Sequence, residues 1–221
     1  MKPLLICCSA LALLAGCAAP PGRSPDAAAC GATLEPAVGT RLAMVRQVLD
    51  EGQPYAALAH LEALNYTGDH AALLRADILR RIGSGAEAAA LYRSLLSGCL
   101  AGLGHHGLGL LTSAEGRAGE GIEHFRQART LLPADARVRN DFGYALLASG
   151  ALDDARHELL TAQDLAPSDR KVAYNLVLLY YILGDSARAE DWARRHQADA
   201  ETLAQLKALA VRLAAKKGEQ P

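Results

Sequence analysis

The stretch from Ala136 to Asp169, ARVRNDFGYALLASGALDDARHELLTAQDLAPSD, decides the fold. It carries Phe142-Gly143, Leu146, Gly150, Leu152, Ala155, Leu159, Ala162 and Pro167. One period of about 34 residues earlier stand Leu108-Gly109, Gly116, Ala118, Gly121, Phe125, Ala128 and Pro133. One period later stand Leu176-Val177, Tyr180, Gly184, Ser186 and Ala189. Each residue type has a mechanical reason. Gly109 and Gly143 let one helix approach the next closely, and Ala155 does the same from the opposite helix. Gly150 falls where a helix must end and reverse, and glycine adopts the left-handed conformation there without steric cost. Pro133 and Pro167 cannot continue a helix, so they cut one unit from the next. Leu108, Phe125, Phe142 and Leu159 fill the space between paired helices.

Two weaker units lie upstream. Residues 69–101 keep Ala76, Leu79, Gly83, Ala88 and Tyr92 in the same relation, and residues 38–67 keep Val48, Gly52, Ala57, Leu61 and Leu64. At the far end, Leu203, Leu206, Leu209, Ala210 and Leu213 recur at helical spacing with Lys207 and Arg212 on the other side. This is the pattern of a helix that caps a stack. A small residue at the eighth position, a midway glycine, alanine at the twentieth, a bulky residue at the twenty-fourth and a closing proline resemble the tetratricopeptide repeat. That resemblance implies an all-α solenoid of five helix pairs with degenerate outer units. The expected division is repeats over 38–198 and a capping helix with tail over 199–221.

The N-terminus must be set aside before fold reasoning. Lys2 and the apolar run from Leu4 to Leu14 end in Leu14-Ala15-Gly16-Cys17. The run is too short for a permanent span, which takes about 20 residues. It reads as a signal peptide over 1–16 and resembles the bacterial lipobox, whose cysteine thiol is acylated and becomes the new N-terminus. An ordinary secretory signal with an incidental cysteine is the alternative. Lipidation at Cys17, with Ala18 rather than Asp following it, implies under that resemblance an anchor in the outer membrane, on the periplasmic face. Residues 17–37 hold several prolines and few large apolar side chains, the composition of a flexible tether. Cys30 and Cys99 remain after processing. The oxidising compartment permits a bridge between them, and two unpaired thiols are the default reading.

Composition and motifs exclude several classes of chemistry. Hydrophobic residues are 51% of the chain but aromatics only 5%, so the apolar content is mostly alanine and leucine, the residues helices tolerate best. With 23 basic and 24 acidic residues no cationic excess exists to neutralise phosphates, so nucleic acid is not an expected partner. Gly102, Gly104 and Gly107 imitate a phosphate-binding string, yet no strand precedes them and they match the repeat register. His105 and His106 point about 100° apart on a helix, and no Cys or carboxylate lies three or four residues away. They read as solvated or packing histidines rather than a metal site. No serine sits in a nucleophile elbow. The expectation is a non-enzymatic protein with no cofactor and no metal.

The repeat resemblance implies a concave face lined by the first helix of each pair. Helical spacing places His106, Leu110, Leu147 and Leu178 on it together with Arg137, Asn140, Tyr144, Lys171, Tyr174, Asn175 and Tyr181. These last seven form the expected partner-binding set, being residue types that grip an extended backbone or a short helix. The segment RVRNDFGYALLASGALDDARHELLTAQDLAPSD, with the Asn-Leu-bearing repeat that follows, resembles the tight-adherence (Flp) pilus assembly lipoproteins over roughly residues 100–195. That resemblance implies protein partners, a secretin or other pilus components. A pilotin-like factor for a type IV pilus or type II secretion secretin, an adaptor for cell-wall hydrolases and a subunit for outer-membrane protein insertion are the alternatives.

Overall fold

The computed structural model describes residues 34–218. The signal segment, the acylation string at Cys17 and the tether up to residue 33 lie outside the described residues. Eleven helices and no strand occur among those described. They are α1 (Pro36–Asp50), α2 (Pro54–Ala63), α3 (Asp69–Ile82), α4 (Gly85–Ser94), α5 (Ala101–Ala114), α6 (Ala118–Leu131), α7 (Ala136–Ser149), α8 (Leu152–Leu165), α9 (Arg170–Ile182), α10 (Ser186–Arg195) and α11 (Ala200–Gly218). The first ten form five antiparallel pairs, and α11 packs on α9. No described helix is long and apolar enough to cross a membrane.

Local chemistry sets the helix ends. Pro36 and Pro54 occupy the first turns of α1 and α2, where a missing N–H costs nothing. Asp135 caps α7 by accepting from the backbone N–H of Arg137 and Val138, and Asp169 caps α9 by accepting from Lys171. Each follows a unit-closing proline by two residues, so one short string stops a helix and starts the next. At the far end of α7, Gly150 sits at φ +85°. The amide of Ala151 returns to the Leu146 carbonyl and that of Gly150 to Leu147, at 3.0 and 3.1 Å. Only glycine takes this left-handed position without strain.

The core runs through the stack as three successive clusters. One joins Leu42, Val45, Leu49, Leu61, Leu74 and Ile78. The second centres on Tyr92, Leu95 and Leu108. The third extends from Phe125 through Phe142, Leu159 and Leu176 to Ala210 of α11, where Leu203, Leu206, Leu209 and Leu213 pack beside it. Close approach between helices is enforced by missing side chains. A Cβ at Gly143 would stand 2.7 Å from Leu159 Cγ, and one at Gly107 would enter the Tyr92 ring at 2.2 Å. The phosphate-loop look-alike on α5 is thus a packing string: Gly102 accommodates Leu132, Gly104 the Tyr92 carbonyl and Gly107 the Tyr92 ring. Cys99, in the turn between α4 and α5, is disulfide-bonded, which corrects the default reading of unpaired thiols. The other four cysteines lie outside the described residues.

Candidate partner-binding groove

Lateral contacts run from α1 to α3, α5, α7 and α9, so the first helices of the five pairs stand side by side. They line a groove of about 790 Å³, with Arg46 and Asp50 from α1, Leu73, Asp77, Arg80 and Arg81 from α3, and Leu103, His106 and Leu110 from α5. Arg137 and Asp141 from α7 complete the lining with Asp169 and Lys171 at the start of α9. The floor is polar, and its carboxylates are held by the protein itself. Arg46 reaches Asp77 at 2.5 Å, Arg81 reaches Asp50 at 2.9 Å, and the Tyr92 hydroxyl donates to Asp77 at 2.6 Å. Burial and the Asp77 charge push the Tyr92 hydroxyl well above the ordinary phenol range.

Asp141 is the hub of the C-terminal half. His106 lies 2.9 Å from one carboxylate oxygen, while Lys171 and Asn140 donate to the other at 2.8 and 3.1 Å. Burial alone would raise this carboxyl. The His106 hydrogen bond and the Lys171 charge outweigh that effect and hold it down at about 2. Asn175 donates to the Asn140 carbonyl oxygen at 2.8 Å, closing a chain of polar contacts from α5 through α7 to α9.

The expected contact set is divided by the structure. Arg137 and Lys171 line the groove; the Arg137 guanidinium is mostly exposed and bonds Asp135 at 3.2 Å. That bond is the main cause of a guanidinium pKa above its ordinary value. Asn140 is 2% exposed and pairs with half-buried Asn175, so these two join helices instead of facing a ligand. Tyr144 is partly exposed on α7. Tyr174 and Tyr181 turn to the capping helix. Tyr174 accepts from Arg170 at 2.6 Å and lines a depression with Thr202, Leu206, Leu209 and Arg212. Tyr181 lies under Lys207, whose Nζ is 5.4 Å from the ring centroid. Helical periodicity placed these tyrosines on α9, but α11 takes the position where the first helix of a further pair would stand.

Asp141 and the cations Arg46, Arg80 and Arg81 escaped the sequence reading. A usable signal existed. His106 and Asp141, like Asn140 and Asn175, are 35 residues apart, so complementary polar types one repeat apart meet across adjacent first helices. The two adjacent histidines also part company. His106 goes to Asp141, and His105 meets His124 on α6 at 3.1 Å.

Comparisons with known proteins agree with this architecture. The family described as tetratricopeptide repeat matches residues 113–177. A TPR repeat-containing protein of Pseudomonas aeruginosa is 39% identical over 203 residues, covering 92% of this chain and 82% of its own. Among solved structures, Pseudomonas aeruginosa PilF is similar with a TM-score of 0.60 at 17% identity, covering 81% of this chain and 88% of that one. YrrB, described as a TPR protein with an unusual peptide-binding site, has a TM-score of 0.53 at 18% identity over 76% of this chain and 90% of its own. MamA of Desulfovibrio magneticus RS-1 gives 0.52 at 16% over 75% and 96%. These structures share the fold, and the Pseudomonas relative extends the likeness to sequence along nearly the whole chain, which therefore belongs to the tetratricopeptide-repeat family.

Proposed function

We propose that this protein is a non-enzymatic scaffold, acylated at Cys17 and held on the periplasmic face of the outer membrane, that grips a segment of a protein partner in its concave groove. The reading extends to assistance in assembling or localising a tight-adherence pilus secretion machine, because the repeats from about residue 100 to 195 resemble those of the TadD lipoprotein. The observation that carries the groove assignment is its inventory of hydrogen-bonding groups. Asp50, Asp77 and Asp141 are engaged by side chains of the protein, and Asp169 caps α9. Arg80 and Arg137 stand in the same lining, the first near the Tyr92 hydroxyl and the second against Asp135 at the rim. A partner that offers backbone carbonyls and acidic side chains completes such a surface. The disulfide at Cys99 supports export, since reducing compartments rarely keep one.

The test is capture of the secretin from solubilised membranes. Replacing Arg80 and Arg137 together by alanine should lower capture more than about tenfold, as buried interface arginines cost about 2 kcal/mol each on truncation. Helical content and fatty-acid labelling should stay unchanged, whereas Cys17→Ser should lose the label. Undiminished capture by the folded double variant would move the binding surface elsewhere. Capture of a cell-wall hydrolase in place of a secretin would keep the groove and replace the pilus.

A further inference from the structure

His105 on α5 and His124 on α6 belong to the two helices of one repeat, and their rings meet apart from the His106–Asp141 contact. The close packing of these helices brings them together. A Cβ at Gly121 would stand 2.2 Å from Ser113 Oγ and 3.2 Å from the Gly109 carbonyl, so the backbones approach as only glycine allows. The Nδ1 atoms are 3.1 Å apart, and the rings are tilted by 41° with centroids 5.4 Å apart. Both side chains are half-buried.

Two neutral imidazoles in this arrangement either share one proton or direct both lone pairs at a common point. The second option has a specific geometry. With metal–nitrogen bonds of about 2.0–2.1 Å, a tetrahedral ion holds two ligand nitrogens about 3.3–3.4 Å apart and a square-planar ion about 2.9 Å apart. The observed spacing falls between them. Burial lowers the basicity of both rings. Glu120 and Glu123 on α6 face the pair with negative charge, against Arg117 on α6's N-terminal side and Arg93 of α4. No group of three or more His, Cys, Asp or Glu side chains among the described residues could hold a metal ion, so only these two histidines would serve as protein ligands.

We propose that His105 and His124 together bind one divalent transition-metal ion of the zinc, nickel or copper class. Imidazole suits these ions, and copper binds most tightly in that series. Neither histidine belongs to the groove, so loss of the metal leaves partner capture intact and the two assignments fail separately.

Calorimetric titration of the untagged, purified full chain with zinc and nickel chloride tests the site. One equivalent should bind, and affinity should fall in acid as the imidazoles protonate. His105→Gln and His124→Gln should each lower affinity at least about tenfold, since removal of even an outer-shell partner reaches that size. His60→Gln and His157→Gln should change nothing. Electron paramagnetic resonance of the copper-loaded wild-type chain needs no variant and should show coupling to two imidazole nitrogens. Absence of binding up to millimolar metal, binding that survives both substitutions, or a single-nitrogen spectrum would each overturn the proposal.

Discussion

The two ends of the groove solve one problem with different chemistry. At the α1–α3 joint the helices are tied by two arginine–aspartate pairs, the part-buried Arg46–Asp77 and the outer Arg81–Asp50, which lies in solvent with Asp50 57% exposed. At the α7–α9 joint the tie is the part-buried Asn140–Asn175 bond and the Asp141 hub, whose side chain is 11% exposed although its Lys171 partner is 67% exposed. Exposed pairs gain little because water screens them and long side chains must be ordered. A buried network gains more per contact and costs more when broken, because each orphaned partner has lost its water. The α7–α9 joint should therefore lose more when one of its ties is broken than the α1–α3 joint loses with its Arg81–Asp50 pair.

The largest way to break this asymmetry is to dislodge α7 itself. Gly143→Leu drives a side chain into Leu159, whose Cγ already stands 2.7 Å from the position of a Cβ. Overpacking of this kind costs about 1–3 kcal/mol, and more where backbone rather than a flexible tip must move. Thermal unfolding should fall by several degrees at least. An unchanged melting point would mean that α7 and α8 do not pack through this contact.

Asp141→Asn probes the hub with less violence. With the folded carboxyl at about 2 and its ordinary value at 3.8, ionised Asp141 stabilises the fold at neutral pH by about 2 kcal/mol. A depressed carboxyl contributes stability above its unfolded value and loses it as pH falls through its folded value. The contribution is therefore complete above about pH 4 and fades towards pH 2. Urea unfolding should show the variant weaker at pH 7 and the difference shrinking between pH 4 and pH 2. A difference that stays constant over that window would separate the loss from the charge of Asp141.

How much of this was legible in the sequence follows from which interactions are local. The five pairs were readable because Gly143, Gly150, Ala155 and Pro167 each act within one unit and recur with the period. The cap was readable because Leu203, Leu206, Leu209 and Leu213 mark one face of one helix. Arg137 and Lys171 could be placed in the groove by phase alone. Asp141 could not be found by asking what lies three or four residues away, since its partners His106 and Lys171 sit on the first helices of neighbouring repeats. Tyr174 and Tyr181 were placed in the groove because periodicity gives the direction of a side chain on its helix, and not what has been laid against that direction. The capping helix occupies it.

The smallest expected effect is the sharpest check on the comparison. Asp50→Ala removes the exposed partner of Arg81, while Arg81 keeps its 2.6 Å hydrogen bond to the Leu49 carbonyl at the end of α1. No buried group is orphaned, so the cost should be about 0–1 kcal/mol. What remains is a Coulomb attraction across solvent, and the screening length shrinks to about 3 Å at 1 M salt. The difference in urea midpoint between Asp50→Ala and wild type should therefore disappear at 1 M sodium chloride. The Asp141→Asn difference should largely survive there, because Asp141 itself and its bonds with His106 and Asn140 are shielded, even though Lys171 is exposed. If Asp50→Ala proves the costlier substitution, or the only salt-resistant one, the asymmetry is reversed.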